Sequence, residues 1–293
     1  MPAIRSSNDN GRSLEFFVTA ALQEFDACSL TERASRCQIR DAHTSSQIDP
    51  RLRKSFLEAS RISADWVIRE IGAGSGLAFE VDRTDDSDTG VADLIISSKK
   101  RKLLVSVKHN HDALSHPRPY SLIEAIGFRG TKFESDHRDR MNRISDRFRK
   151  NSNNVSTYSA APTAKLQLYY DACDECSKSV SSLSRVSNVA EQLFNFLVAP
   201  GCKKLVVRTD SGSKRLSGID VFDYTKIDVP TSLTASVERR PRAASLVLGF
   251  NNGWVIDMRI HTASSRISTE GQLSLKFDVQ RKTGTLPPVQ KLM

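Results

Sequence analysis

The segment 92–111, ADLIISSKKRKLLVSVKHNH, constrains this chain more than any other. Leu94, Ile95 and Ile96 form one short apolar run, and residues 103–107 form a second. Both contain β-branched residues and are too short for helices, so each reads as a strand. The polar stretch 97–102 between them reads as a hairpin turn that brings the second strand back beside the first. Asp93, just before the first strand, and Lys108, ending the second, are then expected at the same open end of the hairpin. A carboxylate and an ammonium presented together can hold a divalent cation and polarise a water beside a phosphate.

At 293 residues the chain can bury a full core as one large domain or two modest ones. No apolar run approaches the ~18 residues of a membrane span, and MPAIRSSNDNGR lacks an apolar signal core. A soluble, cytoplasmic protein with no membrane partner is expected. Forty-three Lys and Arg against 34 Asp and Glu leave a net charge of +9, which suits a polyanion such as nucleic acid but is compatible with many other roles. The five cysteines, Cys28, Cys37, Cys173, Cys176 and Cys202, are expected to be reduced thiols. Cys173 and Cys176 form a lone CxxC near a helix start. A structural zinc site would need further ligands, with Cys202 the only other cysteine candidate, so a free pair is preferred.

Helical periodicity marks residues 13–27, with Ser13 as N-cap and Glu15 in the first turn, and residues 51–71, stopped by Gly72. The run Gly72-Ala73-Gly74-Ser75-Gly76 follows a helix and has the wrong spacing for a dinucleotide loop, so it reads as a connection into a strand at 77–81. Asp82, Asp85, Asp86 and Asp88 lack the glycine and terminal glutamate of a calcium loop and read as a solvated turn. Residues 137–150 read as a basic amphipathic helix with Met141, Ile144 and Phe148 inward. Its cations can meet phosphates, or pair with Asp139 and Asp146. Residues 151–163 read as a linker and 186–198 as a helix. The chain beyond Lys204 reads as strand-rich, with Asn252-Gly253 as a hairpin turn.

Three blocks carry a resemblance. They are Asn10-Gly11-Arg12-Ser13-Leu14-Glu15; Ala92-Asp93-Leu94-Ile95 leading to Val105-Ser106-Val107-Lys108-His109-Asn110-His111; and Asn252-Gly253-Trp254 leading through Arg259-Ile260-His261-Thr262-Ala263-Ser264 to Leu275-Lys276-Phe277-Asp278. Together, and in this order, they resemble the HaeIII family of type II restriction endonucleases, within the PD-(D/E)xK nuclease superfamily. That resemblance implies an α/β fold with a mixed β-sheet core flanked by helices and a strand-rich C-terminal region. The nuclease core would be 1–150 and the DNA-contacting region 164–293. It implies Mg²⁺-dependent cleavage of double-stranded DNA at the palindrome GGCC, with a blunt cut. It places Asp93 and Lys108 at the motif aspartate and lysine, with Glu15 as the helix glutamate completing the metal site. Ser106 departs from the pattern, standing where the superfamily usually has a second carboxylate. Either Glu15 supplies the missing ligand or a water does.

Reading guanine and cytosine edges needs paired donors and carboxylate acceptors. Arg259 with His261 is the first candidate, and Arg239 and Arg240, beside Pro241 and Arg242, the second, although a basic loop can also grip phosphate alone. His109, Asn110 and His111 are expected at the lip of the site. A palindromic target invites a homodimer. Two rival readings remain: a sequence-specific DNA-binding protein whose nuclease site is degenerate at Ser106, and an HNH-type nuclease using a histidine of KHNH as its base.

Overall fold

The computed structural model describes residues 7–73, 76–84, 92–111, 114–152 and 155–293. In chain order the elements are α1 (Ser7–Gln23), β1 (Cys28–Leu30), α2 (Glu32–Ser46), α3 (Pro50–Ile71), β2 (Phe79–Arg83), β3 (Leu94–Ser98), β4 (Lys102–His109), α4 (Lys132–Asn151), α5 (Pro162–Leu183) and α6 (Val189–Val198). Then come β5 (Lys203–Thr209), β6 (Leu216–Asp223), β7 (Leu233–Arg240), β8 (Ala243–Phe250), β9 (Val255–Thr262), β10 (Leu275–Thr283) and β11 (Val289–Lys291). The class is mixed α/β. Among the described residues no helix is long and apolar enough to cross a membrane.

The chain forms two discontinuous units. One comprises Met1–Asp112, Ala199–Ile227 and Pro287–Met293, the other Ala113–Val198 and Asp228–Leu286. The expected division into 1–150 and 164–293 is corrected by this partition. Helices α4 and α5 flank the supposed boundary yet pack on each other inside one unit, while β5, β6 and β11 return to the other. The supposed linker 151–163 contributes Tyr158, which is buried and stacks on Phe148.

The first unit is built on a seven-stranded mixed sheet ordered β1-β2-β3-β4-β5-β6-β11, parallel at β1/β2 and β4/β5 and antiparallel elsewhere. Alternation sends Val81, Leu94, Ile96, Val105, Val107, Leu205 and Val207 to one buried face, where α1 and α3 cover them with Leu14, Phe17, Val18, Phe56 and Val67. Asp49 caps α3 by accepting the Arg51 and Leu52 amides. Gly72 ends the helix at φ +69°, a conformation that costs glycine nothing. Helix α1 starts earlier than periodicity suggested. Ser13 is fully buried inside it rather than its cap, and Glu15 lies mid-helix rather than in the first turn. Of the acidic cluster, Asp82 accepts hydrogen bonds from Thr31 and Arg33. Burial raises the pKa of this carboxyl, but those bonds and the Arg33 charge bring it below its ordinary value. Asp85, Asp86 and Asp88 lie outside the described residues, as do Gly74 and Ser75.

The second unit carries a four-stranded antiparallel sheet ordered β10-β9-β8-β7. Gly253, at φ +85°, makes the turn between β8 and β9. One face holds Leu246, Leu248, Met258, Ile260 and Phe277, all buried. Helix α5 packs on this sheet, and Phe194 of α6 meets Phe250 and Trp254 edge-on. Cys173 and Cys176 lie in the middle of α5, not near its start. Both are buried, and burial raises both thiol pKa values.

The cations of α4 are largely engaged within the protein. Arg138 pairs with Glu124 and Glu134, Arg140 with Glu175, Arg147 with Asp171, and Arg149 with Asp146. The Glu175 carboxylate is nearly inaccessible. Burial raises its pKa, but hydrogen bonds from His137, Arg140 and Ser179 and the Arg140 charge outweigh that and bring it to about 2. A carboxyl held below its ordinary 4.5 contributes stability above that value, and loses it as pH falls towards 2. Glu175→Gln should therefore lack an acid-dependent loss on the order of 2 kcal/mol that the wild type shows between about pH 7 and pH 3. Urea midpoints of both proteins at the two pH values measure it. Parallel losses in wild type and variant would show that the carboxylate carries no such contribution.

Candidate active site

The hairpin folds as its pattern dictates, with a turn slightly tighter than expected. Ser97 pairs with Lys102, and the Ser98 hydroxyl accepts the Lys100 and Arg101 amides. The register sets Leu94 against Val105, and the Asp93 amide donates to Val105 O at 2.9 Å. Asp93 is thereby fixed beside the last residues of β4. Its Oδ2 accepts from the Ser106 hydroxyl at 2.9 Å, the Val107 amide at 2.6 Å and Lys108 Nζ at 3.1 Å. The two charged side chains remain accessible, 21% for Asp93 and 24% for Lys108. Ser106 is fully buried and spends its hydroxyl on the aspartate, so it orients a carboxylate instead of standing in for one.

Glu15 belongs to the same group. Its Oε2 accepts from Arg83 Nη2 at 3.0 Å. Burial and the Asp93 charge push its pKa up to about 7, while Arg83 and Lys108 pull the other way. Helix α1, running beside β4, thus brings a second carboxylate within electrostatic reach of the first. The bland expectation for Glu15, a solvated acid at a helix N-terminus, is not what is found.

Sequence reasoning missed the base of the site. Arg83 is fully buried. Besides Glu15 it donates to Asp41 Oδ2 at 2.9 Å and to Gln38 Oε1 at 2.8 Å. A signal was present: Arg83 follows Phe79 and Val81 at the same inward parity of β2, where an unpaired arginine is not tolerated.

The KHNH run divides. Strand alternation turns Lys108 and His109 to opposite faces of β4. His109 packs edge-on against Phe56, shares a 2.9 Å hydrogen bond with the Thr209 hydroxyl, and has its pKa lowered to about 4 by burial and by the charges of His111 and Lys214. Asn110, at φ +66°, accepts the Thr209 amide at 2.7 Å and donates its own to Val207 O. Both residues are corrected from site lip to strand-end structure. The HNH reading loses its best candidate base with them. His111 is exposed.

The base-reading candidates divide as well. Arg239 lies against Tyr170 and pairs with Asp174 of α5, which corrects its assignment to DNA. Arg240, Arg259 and His261 project from the other face of the four-stranded sheet. There Arg240 meets Glu238 and Asp257, and Arg259 and His261 meet Asp278.

Asp93 and Glu15 each bind protein donors through one oxygen. Among the described residues, nothing is bonded to Asp93 Oδ1 or Glu15 Oε1. Two carboxylates whose mutual repulsion raises a pKa, each with an uncommitted oxygen, fit Mg²⁺, which takes one or two carboxylates and fills its octahedron with waters and phosphate oxygens. Among the described residues there is no cluster of three or more His, Cys, Asp or Glu side chains placed for a metal. Compared with known protein families and with curated protein sequences, the chain matches none.

Proposed function

We propose that the chain is a Mg²⁺-dependent endonuclease of the PD-(D/E)xK type acting on double-stranded DNA. In the form the resemblance implies, it is a type II restriction enzyme cutting GGCC bluntly as a homodimer. The observation that carries this reading is the convergence of Asp93, Lys108 and Glu15 at one end of the hairpin. The Asp93–Lys108 separation of 3.1 Å lies well within the reach of one ion and its water.

Asp93 and Glu15 would hold the cation through their free oxygens. When bound, the metal supplies charge neutralisation at the scissile phosphate and a more acidic water. Ser106 and the Val107 amide keep the Asp93 carboxylate ionised and fixed in direction. Lys108 offers a strong donor at the rim of the carboxylate pair. It orients the attacking water and balances charge gathering on the phosphoryl oxygens. Arg83 holds Glu15 from behind, so that its second oxygen is presented without a search through rotamers.

The binding-only alternative required Ser106 to mark a decayed ligand and Glu15 to lie far from Asp93. The bond from Ser106 to Asp93 and the electrostatic coupling of Glu15 to Asp93 favour the catalytic reading. The test is plasmid DNA incubated with purified protein, with and without magnesium. Discrete fragments ending at one tetranucleotide, seen only with the metal, are expected. Intact plasmid under both conditions overturns the proposal.

A further inference from the structure

The face of the four-stranded sheet opposite its apolar side is chemically unusual. Each strand places ionisable or polar residues there at alternate positions: Glu238 and Arg240 on β7, Asp257 and Arg259 on β9, Asp278 and Lys282 on β10. The cross-strand register puts Glu238 opposite Ser245, Ser245 opposite Arg259, and Arg259 opposite Asp278, so acceptor and donor alternate along one row. Lys282 reaches from β10 to Glu238 at 2.7 Å and Asp257 at 3.3 Å, and Arg240 reaches the same two carboxylates. The cations stay accessible, Arg259 at 54%.

A surface for gripping phosphates would not interleave three carboxylates with its cations, because each repels the nucleic-acid backbone. A purely structural ion-pair lattice would leave no polar group unmet. Here Ser245 is fully buried with its hydroxyl unpartnered, and Asp257 Oδ1 is buried without a hydrogen bond, both among the described residues. A buried acceptor left open is costly, and such groups persist where a partner arrives from outside. The ligand class that asks for alternating planar donors and carboxylate acceptors is the major-groove edge of G·C pairs. Guanine O6 and N7 take an arginine fork, and cytosine N4 donates to a carboxylate.

We infer that this open sheet face reads base edges in duplex DNA, with Arg240 and Arg259 directed to guanine and Glu238 and Asp257 to cytosine amino groups. Docking exchanges partners. Arg240 and Lys282 leave the carboxylates for the nucleic acid, and the freed carboxylates take the amino donors. The inference rests on the proposed duplex-DNA substrate and deepens it by locating where sequence is recognised.

The test is selection of bound duplexes from a randomised pool by the full-length protein in Ca²⁺, followed by anisotropy titrations of the selected duplex and a scrambled one. Selected sequences should be built on G·C pairs. Arg259→Ala and Glu238→Gln should each lower the discrimination between the two duplexes by about tenfold or more, while melting temperatures confirm that both variants fold. Plasmid cleavage is read in parallel. If wild type cuts at one sequence and both folded variants keep that discrimination, the face is overturned and the nuclease reading stands. If wild type does not cut but selects G·C duplexes through these residues, the nuclease reading fails and the face stands. Binding without sequence preference, or no binding to duplex, overturns the face.

Discussion

Lys108→Ala is expected to reduce Mg²⁺-dependent cleavage by about 10²–10³-fold, the usual loss when one preorganised donor to a developing oxyanion is removed. The fold should survive. Lys108 is partly accessible, and Asp93 retains its bonds from Ser106 and the Val107 amide. Asp93→Asn separates the two roles at this end of the hairpin. An amide oxygen can still accept from Ser106 and Val107, so the local geometry persists. The charge that would hold the cation is gone. Specific DNA binding should then persist while cleavage falls by at least as much as in Lys108→Ala. Single-turnover cleavage at saturating enzyme, across a magnesium titration, measures both. Wild-type rates in a folded Lys108→Ala protein would remove the lysine from the chemistry, and retained cutting by Asp93→Asn would show that the aspartate was misassigned.

Arg83→Met is expected to destabilise the first unit by about 3–5 kcal/mol, because removing one partner of a buried ionic group strands the others. The Asp41 side chain is 3% exposed and would lose the guanidinium that meets its Oδ2, leaving Arg40 as its other cation. Glu15 would lose its only hydrogen-bond donor among the described residues. Adding Asp41→Asn to Arg83→Met should recover part of the loss, so the double variant falls well short of the sum of the singles. Urea denaturation of the three variants reads the cycle. Additive losses would mean that Arg83 and Asp41 do not act as a unit. A single substitution as stable as wild type would mean that the buried network is dispensable.

The hairpin and the tertiary network were unequally visible in the residues. Asp93 and Lys108 are 15 positions apart and joined by one turn, so alternation and turn chemistry alone bring them together. Glu15 and Arg83 are 68 positions apart, and Arg83 and Asp41 are 42 apart. Nothing local states that α1 and α2 will close over the end of β2. Helix α5 went unread because its Asn-, Ser- and Ala-rich approach suggested a linker, although Leu168, Tyr169, Ala172, Cys176, Val180 and Leu183 keep a helical period and are buried. The two units were misdrawn for a related reason. Periodicity identifies strands but not their partners, and β5 pairs with β4 across nearly a hundred residues of intervening chain.

The sequence by itself determined the strands, most helices, the hairpin end that joins Asp93 to Lys108, and the turn at Gly253, because each follows from side-chain period and backbone preference over a few neighbouring residues. Only the tertiary structure decided that Ser106 serves the aspartate, that Glu15 is held by a buried arginine, that His109 and Asn110 finish a strand, and that Arg239 and Arg240 part company across a sheet. Those outcomes depend on which surfaces become buried against each other. Burial sets the cost of every unpaired charge and so selects the partners that local pattern leaves open.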